Sequence, residues 1–445
     1  MLTDESICAL APDPASVKAA RGLMAPAKWP LLGEDSQAVW GECQGSGAKP
    51  YQTQVDLSGP AFRCSCPSRK FPCKHGLALL LMRAQDASRF SANGQAPAWV
   101  SEWLATRSEK AQKKEEQKKL AEKSATPLDP QAAAKREAQR WQRISAAAAE
   151  LQRWLADQIG QGLGSLNAEV IKTWHTMAAR MVDAQAPGLG QRVREAALGL
   201  HAGEDWPERS LHRLGLLHLA CEALARREQL EPALQADLRT LVGWPQDKAE
   251  VQETGENLAD QWTVLGQITE ERDDKLSERR VWLQGAASGR RAWLLDHAFG
   301  GKGFEQAWVT GSMVQATLAF FPGATGLRAL ALDAQALASP PIWPVSDLAC
   351  EWLQLAQRSA RSPWLSLHPL LLCDAVVLHR GAATLAVAAG QCLALNLSEA
   401  DRWRLLAATG GMPVNLMGEW DGQQLRPLSA WLAQAQAPVW QRSVA

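Results

Sequence analysis

Residues 62–81 read FRCSCPSRKFPCKHGLALLL. Four side chains in this stretch have the chemistry and spacing of metal ligands: Cys64 and Cys66 one residue apart, then, after a gap of six, Cys73 and His75 one residue apart. Three of the nine cysteines and one of the eight histidines of the 445-residue chain fall here. Three thiolates and an imidazole satisfy Zn²⁺ tetrahedrally and leave no open position, so the zinc they suit is structural. Ligands one residue apart face a single ion only where the chain turns sharply or leaves a strand, and Pro67 and Pro72 bracket such a turn. No Cys-x-x-Cys redox pair is present.

Working outward, GLALLLMRAQDASRF from Gly76 predicts a helix with Leu77, Leu80 and Leu81 on one face and His75 in its first turn. Upstream, QAVWGECQGSGAKPYQTQVDLSG predicts two short strands joined at Gly45-Ser46-Gly47, the second running through Tyr51, Val55 and Leu57 toward the cysteines. Cys43 reads as a small buried strand residue, with substitution for a ligand as the other reading. The order strand, strand, metal knuckle, helix resembles the SWIM zinc-finger family, whose pattern is Cys-x-Cys, a variable gap and Cys-x-His in a ββα unit. Cys64, Cys66, Cys73 and His75 match it one for one. Gly41-Glu42-Cys43, Gly45-Ser46-Gly47, Cys66-Pro67 and Cys73-Lys74-His75 resemble the bacterial branch. The resemblance covers roughly residues 35–85. It implies DNA binding or protein–protein contact, and companions among MoxR-type ATPases and von Willebrand factor A proteins.

Four cations surround the ligands: Arg63, Arg69, Lys70 and Lys74. Three thiolates and a neutral imidazole leave the zinc centre with a formal charge of −1, which nearby cations stabilise. The same residues, with no acidic neighbour between Arg63 and Lys74, also read as a positive surface for phosphate or an acidic partner. The whole chain is balanced, with 47 basic and 47 acidic residues. That argues against a protein built to coat nucleic acid. The opening MLTDESICALAPDP lacks the basic and apolar regions of a secretory signal, and no apolar run is long enough for a bilayer, so a cytoplasmic location is expected. The twenty tryptophans are spread along the chain and read mainly as core; Trp99 and Trp103 share a helix face.

The expected architecture is multidomain α+β. An N-terminal domain (1–106) contains the ββα zinc module; residues 107–130, rich in Lys and Glu with few apolar side chains, form a charged linker as a solvated helix or a flexible arm. An all-helical domain (131–250) follows. Its first seam is Trp141, Ile144, Ala148, Leu151 and Leu155, its second Val170, Trp174, Met177 and Met181, and later helices lie near Val193–Leu200, Arg209–Gln229 and from Pro232. From 251 to 445, QWTVLGQIT, RRVWLQGAASGRRAWLLDHA and LLLCDAVVLHRGAATLAVAAGQCLALNL predict strand pairs in an α+β domain, with helices at Val345–Arg358 and Ser398–Ala408.

Other chemistry fails on spacing. His212 and His218 lie six apart, unlike the i, i+4 pair of a helical metal site, and His218 reads as a core or boundary histidine beside Leu214 and Cys221. Cys8, Cys221, Cys350, Cys373 and Cys392 read as core. Gly300-Gly301-Lys302-Gly303 lacks the phosphate-loop arrangement. No catalytic set emerges, so the expectation is a non-enzymatic zinc-binding adaptor. The second reading is a nucleic-acid-binding protein that uses the finger and the adjacent basic residues.

Overall fold

Strand-forming residues flanking the ligand cluster pair into a five-stranded sheet in the computed structural model. The structure describes residues 7–443 apart from 9, 12–13, 46, 48, 58–60, 69–71, 93–95, 108–129, 199, 202, 274–275, 300–303, 305, 434 and 436. The proposed charged linker lies almost wholly outside the described residues. After helix α1 (Pro14–Arg21) come β1 (Leu31–Glu34), β2 (Ala38–Cys43), β3 (Tyr51–Asp56), β4 (Ala61–Cys64), α2 (Lys74–Gln85), β5 (Ser91–Ala92) and α3 (98–107). The sheet order is β4-β3-β2-β1-β5, antiparallel except for the β1–β5 edge. The two strands read from the sequence are β2 and β3, set inside this larger sheet.

Helix α2 differs from the expected one-faced helix: every residue from His75 to Met82 is buried. The sheet contributes Val39 and Val55 to its surroundings, and the N-terminal segment adds Ile7, Ala20 and Trp29. In the second cluster of this unit, Trp40 and Val100 pack together with Trp99 of α3 beside them. The N-terminal unit therefore has a hydrophobic nucleus of its own as well as the ligand cluster.

A helical stretch follows: α4 (Pro130–Gln161), α5 (Ala168–Asp183), α6 (Pro187–Ala197), α7 (Trp206–Ala225), α8 (Pro232–Leu241) and α9 (Lys248–Thr254). The expected seams meet in one core, where Ile144, Leu151, Trp174, Met181, Leu217 and Leu238 are buried together. Gly188 sets the closest approach. A Cβ there would lie 2.1 Å from the Leu241 carbonyl oxygen, and the Gly188 amide donates to Val242 at 3.0 Å. Backbone cannot swing aside as a side chain can, so Gly188→Ala is expected to cost about 2–3 kcal/mol through overpacking. Denaturant unfolding with a shifted midpoint and unchanged slope checks this. His218, expected in the core or at its boundary, is exposed. The buried stripe of α7 runs through Leu214, Leu217, Cys221 and Leu224, and the position after Leu217 turns outward.

The next five strands are β6 (Glu256–Asp273), β7 (Leu276–Gly285), β8 (Arg291–Phe299), β9 (Met313–Phe320) and β10 (Arg328–Leu337), closed as a barrel in the order β10-β8-β7-β6-β9. The first three form an antiparallel meander. β9 returns to pair with β6, and β10 closes the ring against β9 and, in parallel, β8. This is a five-stranded Greek-key barrel of the kind used by OB folds. Period-two alternation divides its residues: Trp262, Val264, Val281, Leu283 and Leu318 fill the interior, while Leu265 and Trp282 face outward.

The chain ends in α10 (Leu348–Arg361), β11 (His368–Arg380), β12 (Ala383–Ala388), β13 (Gln391–Ala394), α11 (Glu399–Thr409), β14 (Val414–Trp420), β15 (Leu425–Leu432) and β16 (Trp440–Gln441). The sheet order is β13-β12-β11-β14-β15-β16. Along β11, Leu370 and Leu372 join Leu348 of α10 and Leu405 of α11 on one face. Leu371 points to the other face and meets Trp282, Met417 and Leu428 against the barrel. A Cβ on Gly266 of the barrel would lie 2.8 Å from Leu428 Cβ, so the two layers are in direct contact.

Charged side chains cross this apolar joint in pairs. Glu419 accepts from Arg280 Nε at 2.9 Å, Arg280 Nη2 at 3.1 Å and Trp282 Nε1 at 2.9 Å. Glu351 accepts from Arg291 Nη1 at 2.7 Å and Nη2 at 2.9 Å, and from the Leu371 amide at 3.1 Å. Burial alone would raise the Glu270 pKa, but Arg280 and then Arg426 outweigh it and hold the carboxyl at about 2.

Two cysteines depart from the core reading. Cys350 and Cys392 are exposed, the first in the opening turn of α10 with its thiol 3.4 Å from Asp347 Oδ2, the second on the edge strand β13. Among the tryptophans, Trp40, Trp174, Trp262, Trp282 and Trp431 are fully buried, whereas Trp403 is 53% exposed.

Candidate metal centre

The four sequence-predicted ligands come from three kinds of local structure. Cys64 is the last residue of β4, Cys66 sits in the turn beyond it, Cys73 is the N-cap of α2 with extended backbone (φ −75, ψ 164), and His75 lies in the first helical turn. Strand end and helix start are thereby brought face to face. The ligand atoms of all four lie within 4.8 Å of one another, and Cys64 Sγ is 3.8 Å from His75 Nδ1. A tetrahedral zinc with Zn–S bonds of about 2.3 Å requires ligand–ligand edges of about 3.8 Å, so the set has the right size. Cys73 and His75 are buried, Cys64 and Cys66 half-buried.

Crowding makes these sulfurs share protons unequally. The hydrogen bond between Cys64 and Cys73 pushes the Cys64 thiol up and brings Cys73 down to about 4, while burial raises Cys66. A dication held by Cys64, Cys66, Cys73 and His75 would supply the positive charge that lets all three sulfurs ionise, which is the coupling expected of a thiolate metal site. The start of α2 adds a favourable positive helix end beside Cys73.

Supporting residues came from outside the ligand motif. Thr53, fully buried on β3, pairs in register with Cys64, and its Oγ1 lies 3.2 Å from Cys64 Sγ, placed to donate to the thiolate. Tyr51 on the same strand packs its ring against that of His75, tilted by 42° with the centroids 5.0 Å apart. Period-two alternation through Tyr51, Thr53 and Val55 was the available signal for Thr53. Gly76 leaves room for Phe62: a Cβ there would come within 2.8 Å of the Phe62 ring. Cys43 is buried in the apolar cluster and does not belong to the four-atom ligand group.

Of the four basic residues singled out, Arg63 and Lys74 are exposed, on β4 and in the first turn of α2. Arg69 and Lys70 lie outside the described residues. No helix among the described residues is long and apolar enough to cross a membrane.

Residues 51–84, which hold the whole ligand set, match the family model described as SWIM zinc finger, and residues 139–242, spanning most of α4 through α8, match the SWIM-associated four-helix bundle domain. No curated protein and no solved structure matches. The ligand geometry and these two matches together identify a chain that carries a zinc-binding SWIM finger and the helical bundle associated with that finger.

Proposed function

We propose that the protein is a non-enzymatic adaptor in which zinc holds the SWIM finger for protein–protein contact, with the bundle and the C-terminal barrel and sheet as further interaction units. The observation that carries this reading is the use made of the barrel. Five-stranded barrels of this architecture bind oligonucleotides on the outer face of their second and third strands. Here that face, on β7 and β8, is occupied by the chain's own C-terminal sheet, with Trp282 and Arg280 buried against it. The equal numbers of acidic and basic residues support the same reading. Three domains, 1–106, 131–250 and 251–445, joined after the first by a charged linker, 107–130, are the units we assign to it, acting in the cytoplasm. A MoxR-type ATPase or a von Willebrand factor A protein is the partner class that the family resemblance suggests.

Affinity capture on the full chain from the native host, with and without nuclease, tests the proposal. Partners that persist after nuclease support an adaptor; loss of every partner on nuclease treatment counts against it. One observation favours the second reading, in which the finger binds nucleic acid: Arg63 and Lys74 are exposed beside the cluster. Under that reading, DNA or RNA binding weakens steeply with ionic strength, by roughly tenfold between about 50 and 200 mM salt for every two phosphates that the protein neutralises. Undiminished binding of the double variant Arg63→Gln/Lys74→Gln would remove it.

A further inference from the structure

Helix α7 carries two apolar faces. One is the buried stripe of Leu214, Leu217, Cys221 and Leu224. The other points away from the bundle: Leu211 is 52% and Leu219 43% exposed, and His212, Gly215 and His218 between them are exposed as well. With 3.6 residues per turn, these positions all fall within about 60° of the Gly215 direction and form one strip. No charge enters it. The charged residues between Glu208 and Glu222 are Arg209 and Arg213, and both turn aside, Arg209 to Asp205 and Arg213 to the carbonyls of Glu195 at 3.1 Å and Leu198 at 2.6 Å.

Nothing inside the chain accounts for Gly215. It sits in mid-helix without a positive φ, and a Cβ there would meet nothing within 4 Å. Glycine is the poorest helix-interior residue after proline, so an exposed one weakens the helix with no local return. Where two helices cross, a missing side chain lets the backbones approach and the flanking side chains interlock.

The residues on either side of Gly215 repeat in mirror order. Residues 211–219, LHRLGLLHL, read Leu-His-x-Leu-Gly-Leu-x-His-Leu from both ends. An isologous two-fold interface needs a surface that matches itself. A two-fold axis at Gly215 turns α7 end for end, so Leu211 of each copy meets Leu219 of the other and His212 meets His218, with the two glycines at the crossing. The leucines remove apolar surface from water, and imidazole has both a donor and an acceptor, so histidine can pair with its own kind. At the rim Glu208 comes opposite Glu222, whose carboxylate Arg226 already holds at 3.0 Å.

We propose that the outer face of α7 is a homodimerisation surface on which two copies of the chain cross antiparallel at Gly215. A foreign helix could cover the same leucines, but it leaves the mirror order and the glycine at its centre without a reason. The strip is far smaller than the roughly 20–30 residues a side of a standard interface, so the dimer is weak, with a Kd of about 10–100 µM. It brings two fingers into one assembly, whatever each finger binds, and a target offered in repeats gains avidity.

Sedimentation equilibrium of the zinc-loaded full chain tests the dimer. Wild type should show a monomer–dimer equilibrium in that range. Gly215→Gln should weaken it at least about tenfold while the thermal midpoint of the bundle holds or rises, since glutamine is the better helix former. Leu211→Glu and Leu219→Lys should each weaken it by a similar factor; both positions are part-exposed, so these variants carry the test if Gly215→Gln does not fold. The double variant Leu211→Glu/Leu219→Lys should bind at least about fivefold tighter than either single variant, because the two-fold sets each new carboxylate against a new ammonium of the other copy. A chain that stays monomeric up to about 1 mM overturns the proposal, as does a dimer that Gly215→Gln and Leu211→Glu leave intact. A double variant no tighter than the single ones also overturns it, since the helices would then be parallel or out of register.

Discussion

The Cys73→Ser protein is expected to lose its zinc, falling from about one ion per chain to a tenth or less by elemental analysis, and its N-terminal unit is expected to unfold ahead of the rest. The ligand set would seal the ion with four donors, and removing the thiolate at the N-cap position of α2 breaks the metal-held junction between β4 and the helix. In small finger peptides metal binding supplies on the order of 10 kcal/mol or more of folding free energy, as much as a typical domain's net stability. The buried nucleus around Val55 and Leu77–Met82 offsets part of that loss. Calorimetry should therefore show the transition of residues 7–107 separate and move down, while the transition of the bundle and barrel stays in place. Hydrogen exchange localised to β4 and α2 would identify the segment. Full zinc content in the variant, or metal-free protein with unchanged protection there, would overturn the assignment of the centre.

Glu419→Gln should destabilise the C-terminal half by about 3 kcal/mol or more, the cost of leaving a buried charge without its partner. Glu419 has no exposure to solvent, and the side chain of Arg280 is only 6% exposed. Glu270 and Glu278 also reach Arg280, at 2.8 and 3.0 Å, which keeps the loss from being larger. The informative comparison is the double variant Arg280→Met/Glu419→Leu. Replacing both charges by apolar groups of similar volume is often neutral, but here Trp282 Nε1 loses its acceptor and Glu270 and Glu278 lose Arg280, so urea unfolding should recover only part of the single variant's loss. A double variant no more stable than Glu419→Gln would show that the pair does more than hold two layers together.

The metal centre was legible because its information is local: a dozen residues contain both ligand pairs, Cys64/Cys66 and Cys73/His75, the prolines between them and the helix start. The seams of α4 and α5 were equally readable, since helical periodicity repeats inside one element. Strands β1, β4 and β5 escaped because they span only four, four and two residues, too few to show an alternation. The hairpins of the C-terminal half were visible, but the closure of the barrel was not. It depends on a parallel contact of Arg328 with Trp293 and of Ala329 with Leu294, residues more than thirty positions apart with no turn to announce them. The helices expected at Val345–Arg358 and Ser398–Ala408 appear at Leu348–Arg361 and Glu399–Thr409, each starting after a capping side chain, Asp347 and Ser398. Thr53 shows the opposite limit: its role depends on its position across from Cys64, which a reading of one strand at a time does not reveal.

Because barrel arginines on β7 and β8 find their carboxylates far downstream, on α10 and β14, the second half of the gene is all or nothing. A premature stop codon anywhere from the middle of the barrel to residue 419 would strand Arg280 without Glu419 and strip Trp282 of its cover. Such products should be cleared by cellular proteases, while messages cut before Lys248 would still encode the finger and its bundle.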